Sequence, residues 1–361
     1  MRGHGLPASA LLRDALAEHG IEPGADPLDL SQGTPVDPTP AVAREALAAA
    51  SDAPGYPYVH GTASLREAVT AWAERRLGAV GLDPAGVMPT IGSKELIAWL
   101  PTLLGLEPGD VVTHPALAYP TYAAGALLAR ATPLATDDPT SLPGAALAWV
   151  NSPGNPTGRV ASVQELRETV RWARATGTLL VSDECYLELG WEAQPTSLLH
   201  PDVCDGDVTG LLVAYSLSKQ SNLAGYRAGL LLGDPAVVRQ VVGVRKHAGL
   251  IVPAPVQAVI RACVSDDAHV AEQRERYRRR REVLRAAVEG AGFVVEHSEA
   301  GLYLWCTRGE PGWDSVAALA RVGVLVAPGE FYGPEGERHV RFALTTTDAG
   351  AAEAAARIAS L

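Results

Sequence analysis

A chain of 361 residues is too long for one simple core and suits two packed domains. Its 47% hydrophobic and 20% charged residues exclude a disordered or fibrous class, and a formal charge of −11 works against binding a phosphate backbone. The four cysteines form no CxxC pair and have no histidine at metal-ligand spacing, no signal peptide is visible, and the longest apolar stretches are short and broken by prolines. These features read as a cytoplasmic protein with free thiols, no metal site and no bilayer-spanning segment.

The first predicted element is an amphipathic helix carrying Leu11, Leu12, Ala15 and Leu16, followed by a Pro/Gly loop to about Asp29. From Ser31 onward short apolar runs alternate with helical patterns such as residues 163–175. Strands are predicted over residues 111–113, 146–150, 179–182, 211–215 and 229–232. That alternation predicts an α/β domain with a mostly parallel sheet, whose ligands would bind beyond the carboxyl ends of the strands. After Pro253 a long charged helix over about 270–289 precedes short predicted strands at 293–296, 302–306, 324–326 and 340–344, and a C-terminal helix is expected from Ala349. The expected division is an N-terminal arm at 1–30 that joins the small domain, a large domain at 31–250 and a small α+β domain at 251–361.

Within the charged helix, Arg274, Arg276, Arg278, Arg279, Arg280 and Arg281 are interrupted by Glu272, Glu275 and Glu282. They read as a solvated helix face rather than a nucleic-acid patch. Trp72, Trp99 and Trp149 read as core residues. His60 reads as an ordinary loop histidine near Tyr56.

Three segments carry chemistry. Ser216-Leu217-Ser218-Lys219 follows an apolar run and precedes Gly225-Tyr226-Arg227-Ala228-Gly229. Burial disfavours a charged lysine, and the neutral amine is the nucleophile that imine chemistry needs. Ser216, Ser218 and Arg227 are suited to a phosphate. Asp183 ends a second apolar run, where a carboxylate by itself suits a helix N-cap or a turn as well as pairing with a protonated pyridine nitrogen. Asn151-Ser152-Pro153-Gly154-Asn155-Pro156-Thr157-Gly158 ends a third, as a tight loop that would hold the Asn155 amide rigidly.

Taken together and in this order, NSPGNPTG, SDECY and SLSK…GYRAG resemble the fold-type-I pyridoxal-phosphate-dependent aminotransferases of the aspartate aminotransferase superfamily. LSQGTPVDPTP at 30–40, YPYVHGTASLREA at 56–68, GSKELI at 92–97, HPALAYPTY at 114–122 and PGEFYGPEGERHVRFAL at 328–344 extend the likeness over nearly the whole chain. The resemblance implies pyridoxal 5′-phosphate as cofactor and Lys219 as the Schiff-base lysine that also moves the proton. It implies Asp183 on the pyridine nitrogen, Asn155 and Tyr186 on the phenolic oxygen, and Tyr119 stacked on the ring. Ser93, Lys94, Ser216 and Arg227 would meet the phosphate. Tyr56 would reach the phosphate of the other subunit, so a homodimer with shared active sites is expected. Arg341 would clamp the substrate α-carboxylate, with Gly33 close by. A ping-pong exchange between an amino donor and 2-oxoglutarate follows.

SDECYLELGW at 182–191 and SLSKQSNLAGYRAG at 216–229 further resemble the actinobacterial N-succinyldiaminopimelate aminotransferases of lysine and diaminopimelate biosynthesis. The alternatives are another aminotransferase of the superfamily, acting on aspartate, alanine, LL-diaminopimelate or an aromatic donor, and a C–S lyase of the same fold. A non-catalytic amino-acid sensor is a third class; the DNA-binding domain of such regulators has no place before Ser31.

Overall fold

A computed structural model describes residues 8–361. Seven strands pair in the order Val87–Ile91, Ala228–Gly233, Leu211–Ser216, Leu179–Asp183, Leu147–Asn151, Val111–His114 and Thr132–Ala135. Only Ala228–Gly233 runs against its neighbours; the other pairings are parallel. The five strands expected here are present, and Val87–Ile91 and Thr132–Ala135 add one to each edge. The central strands are apolar on both faces because helices cover both. Leu211, Val213 and Tyr215 enter one core with Leu180, Leu230 and Leu232. Leu212 and Ala214 enter the other with Leu147, Trp149 and Val181.

A third core surrounds a four-stranded antiparallel sheet in the order Ala327–Pro328, Val340–Ala343, Tyr303–Thr307, Val294–Val295. The helices Ala268–Gly290, Gly312–Arg321 and Asp348–Ile358 pack on it through Leu284, Leu319 and Ile358. Leu12, Leu16 and Leu30 of the N-terminal segment belong to this core, and Leu28–Asp29 pairs in parallel with Val324–Leu325. Leu11 of the N-terminal helix lies where only the backbone is described.

The helix Ala254–Val264 sends Val259, Ile260, Cys263 and Val264 into the core of the seven-stranded sheet, against helices Ala41–Ala49 and Ala63–Trp72. Two expectations need correction. Trp99 is exposed, while Trp72 and Trp149 are buried. The arginine run is not uniformly solvated: Arg280 and Arg281 are buried. Arg280 donates to Asp37 and Asp348, and Arg281 donates to Glu192 and the Ser298 carbonyl. Buried guanidinium groups persist here because carboxylates were buried or brought alongside to meet them. Among the described residues no helix is long and apolar enough to cross a membrane.

Candidate active site

The register of the seven-stranded sheet delivers the functional side chains to one edge. Asn151 lies opposite Asp183, Asp183 opposite Ala214, and Ser216 opposite Gly229. Ile91 lies opposite Ala228, so the start of helix Gly92–Leu103 falls beside Arg227. This edge is the carboxyl end of the parallel strands, the usual ligand edge of an α/β sheet.

Lys219 sits in the one-turn helix Leu217–Gln220 directly after its strand. Ser216 caps that turn by accepting from the Ser218 amide at 3.2 Å, and its hydroxyl donates to Ser218 Oγ at 2.9 Å. The Lys219 ammonium donates to the Gly33 carbonyl. Asp183 is buried. Its Oδ2 accepts from the Tyr122 hydroxyl at 2.9 Å and its Oδ1 from the Cys185 amide at 3.2 Å. Burial raises this carboxyl above its ordinary value, against the pull of the Cys185 and Tyr122 hydrogen bonds. Both partners are neutral, so Asp183 is a desolvated anion that a cationic ring N–H would stabilise. Tyr122 in turn stacks on Trp149, ring centroids 5.2 Å apart, which fixes where its hydroxyl points.

At the helix Gly92–Leu103 the first backbone N–H groups are free to face an anion. Gly92 has φ +72°, and a Cβ there would overlap the Arg227 guanidinium, so only glycine lets that group come so close. Arg227 Nη1 donates to the Ala224 carbonyl at 2.9 Å. Ser93 Oγ accepts from the Cys185 thiol at 3.3 Å. The Lys94 ammonium lies 5.8 Å from the centroid of the Tyr119 ring. It therefore stands over the aromatic expected to stack on the cofactor.

At the far side, Arg341 is buried. Nη1 donates to Asn155 Oδ1 and Nη2 to the Ser31 carbonyl, both at 2.7 Å, and Nε has no partner. With its oxygen so engaged, the Asn155 amide keeps both N–H donors for a ligand. The loop is closed by the Asn155 backbone amide, which donates to Asn151 Oδ1 at 2.8 Å. Tyr186 is buried with its hydroxyl 3.2 Å from that of Tyr303. Tyr56 stands apart from this cluster and is fully exposed. His60 bonds the Ala85 carbonyl at 3.1 Å.

The residues fit pyridoxal phosphate. An anion cradle at Gly92 and Arg227, a buried carboxylate lacking a cation and a lysine between them match its phosphate, ring nitrogen and aldehyde. Sequence reasoning missed Tyr122, Tyr303, Tyr332 and the carbonyls of Ser31 and Gly33. No residue-type pattern marks them, since their roles come from which strand ends meet.

The family model "Aminotransferase class I and II" matches residues 25–358. A 4-dedimethylamino-4-oxo-anhydrotetracycline transaminase of Streptomyces rimosus is 58% identical over 92% of this chain and 92% of its own length. A protein of Mycobacterium tuberculosis named as a probable aminotransferase is also 58% identical, over 96% of this chain and 84% of its own. Among solved structures, N-succinyldiaminopimelate aminotransferase of Mycobacterium tuberculosis superposes with a TM-score of 0.87 at 26% identity, covering 99% of this chain and 97% of that one. Enzymes of this class use pyridoxal phosphate as cofactor. By sequence, fold and the residues gathered at its sheet edge, the chain belongs to the class I and II aminotransferases.

Proposed function

We infer that this aminotransferase moves the amino group of N-succinyl-LL-2,6-diaminopimelate to 2-oxoglutarate, and that the residues gathered at the sheet edge do this work. The observation that carries the site reading is the buried Arg341. It is a guanidinium with an unpartnered Nε, reached from Lys219 through Gly33 and Tyr303. A fixed cation beside a lysine suits an α-amino acid, whose carboxylate and α-carbon then have set places. The substrate assignment is supported by solved N-succinyldiaminopimelate aminotransferases of the same fold and by relatives named LL-diaminopimelate aminotransferase, one from Gloeobacter violaceus at 33% identity over 96% of this chain.

When bound, pyridoxal phosphate supplies an aldehyde carbon for amine exchange and an electron sink for the α-carbon. Gly92, Ser93, Lys94, Ser216 and Arg227 would hold its phosphate, the Lys94 ammonium lying close to Tyr119. Asp183 would keep the ring nitrogen protonated, because a buried carboxylate without a cation favours any nearby N–H⁺. Asn155 and Tyr186 would donate to the phenolic oxygen. Arg341, held by Asn155 and Ser31, fixes the substrate carboxylate. Lys219 Nζ would serve as the base that removes the substrate's α-proton and holds it for return. Burial of this pocket slows escape of the proton to water.

A panel of amino donors added to the purified aldehyde-form enzyme tests the assignment through loss of its visible absorbance. N-succinyl-LL-2,6-diaminopimelate is expected to convert it fastest, and 2-oxoglutarate to restore it. Faster conversion by aspartate, alanine, LL-diaminopimelate or an aromatic donor would replace the substrate assignment. Release of keto acid without any acceptor would indicate a C–S lyase instead. A second reading rests on the 58% identity to the Streptomyces rimosus transaminase, whose acceptor is a ketone on an anhydrotetracycline. That ketone belongs in the same panel as an acceptor. The Lys219→Ala variant is expected to lose at least about a hundredfold in turnover with every donor.

A further inference from the structure

The family motifs leave one buried side chain of the site without a role. Tyr303 begins the strand Tyr303–Thr307, in which Trp305 lies opposite Arg341. Side chains two apart share a face of a strand, so Tyr303 and Arg341 are directed to the same side. The Tyr303 ring centroid is 3.8 Å from the guanidinium carbon of Arg341, and the Tyr332 ring lies against the same group at 4.7 Å. The Tyr303 hydroxyl is 3.2 Å from that of Tyr186. It also occupies the space that a Cβ on Gly33 would need, and the Gly33 carbonyl holds the Lys219 ammonium. One phenol therefore spans the gap between the lysine and the guanidinium.

We propose that Tyr303 determines recognition of the substrate's α-carboxylate: its ring holds the Arg341 guanidinium in place, and its hydroxyl donates a hydrogen bond to the carboxylate bound there. The proposal rests on the reading of Arg341 as the carboxylate clamp. Arg341 already spends one N–H on Asn155 and one on Ser31, so a carboxylate with two oxygens gains from a donor on a second side chain. Stacked rings also stabilise a cation that burial would otherwise penalise. Burial alone would raise the Tyr303 phenol, yet Arg341 and Lys219 bring it below its ordinary value, which strengthens it as a donor. Gly33 is then required by Tyr303, because any side chain there would displace the hydroxyl.

Calorimetric titration of the holoenzyme with succinate, an unreactive dicarboxylate, tests this directly. Tyr303→Phe keeps the ring and removes the hydroxyl. It is expected to weaken succinate roughly tenfold and to raise KM for both substrates by a similar factor, with kcat changed less than about twofold. Its cofactor absorbance and melting temperature should match the native protein. Tyr303→Leu, which also removes the ring, should bind succinate more weakly still. Gly33→Ala provides a second route, since it displaces the hydroxyl while leaving Tyr303 in the chain, and it too should weaken succinate. Native-like succinate binding by Tyr303→Phe would overturn the proposal. Arg341→Gln separates the two readings: if it lost succinate while Tyr303→Phe did not, the clamp would stand and Tyr303's role would fall. If Arg341→Gln bound succinate normally, the clamp reading would fall and the proposal with it.

Discussion

Glu184 shows how one side chain beside the site sets a pH dependence. It is fully buried next to Asp183; Oε1 accepts from the Leu198 amide at 2.7 Å, and Oε2 has no partner. Burial pushes its carboxyl up to about 7, against the pull of the Leu198 hydrogen bond. In the unfolded chain the same group titrates near 4.5. Between those values the folded state holds a proton that the unfolded state has released, so stability falls as pH rises through this window and levels off above it. Glu184→Gln removes that titration while keeping the oxygen that Leu198 uses. The variant should melt a few degrees above the native protein at pH 8, with the gap closing towards pH 5. A constant gap across that range would show that Glu184 does not titrate there. Asp37 lies on the other side of the balance. Burial would raise it, but Arg280 and Gln273 hold it below its ordinary value, so its contribution is lost only in acid.

At the scale of elements, the segment from Ser31 to Asp37 is fastened at successive points. Ser31, Gln32 and Gly33 give their carbonyls to Arg341, Thr345 and Lys219. Asp37 accepts from Arg280 at 2.6 and 2.7 Å and from Gln273 at 2.8 Å. The helix Ala268–Gly290 thus holds the segment that delivers Gly33 to the site. Removing Arg280 leaves Asp37 buried without its counter-charge. Arg280→Ala is therefore expected to cost about 3 kcal/mol in denaturant unfolding, and adding Asp37→Asn should recover part of that loss. A loss below about 1 kcal/mol would mean that water reaches Asp37 and the pair behaves as a surface one. By contrast, helix Val163–Thr176 carries a capping box that the sequence alone displays. Ser162 accepts from the Glu165 amide while Glu165 accepts from the Ser162 amide, and Gly177 closes the helix at φ +69°.

For the whole molecule, the exposed Tyr56 is the residue that a single subunit leaves unexplained. Tyr58 beside it is 71% exposed, and two large aromatic side chains so placed favour burial against another surface. We propose a homodimer in which Tyr56 completes the phosphate site of the opposite subunit. Sedimentation at micromolar concentration should give twice the 37.7 kDa subunit mass. A sharper check mixes two impaired proteins, Tyr56→Ala and Lys219→Ala, after reversible unfolding. A hybrid dimer would hold one site with both residues intact, so activity should reappear above that of either parent. No recovery in a mixture shown to contain hybrids would place Tyr56 outside the partner's site.

Much of this was legible in the chain. The apolar runs marked the five inner strands because burial on both faces demands near-continuous hydrophobic residues, and Lys219, Asp183, Asn155 and Arg227 stood out because strand ends and glycine- and proline-rich turns frame them. The two edge strands were harder to see: Thr132–Ala135 is largely exposed, and Val87–Ile91 carries a proline in its middle. Burial of Arg280 and Arg281 was hidden as well, since their carboxylate partners come from residues far away in sequence. The resemblance of motifs was enough to identify the reaction class, because the chemistry requires those residue types and the fold sets their order. Only the tertiary structure decided which groups surround them. Tyr122 on Asp183, Tyr303 on Arg341 and Gly33 on Lys219 are contacts between segments widely separated in sequence, and no local periodicity encodes a contact made by folding.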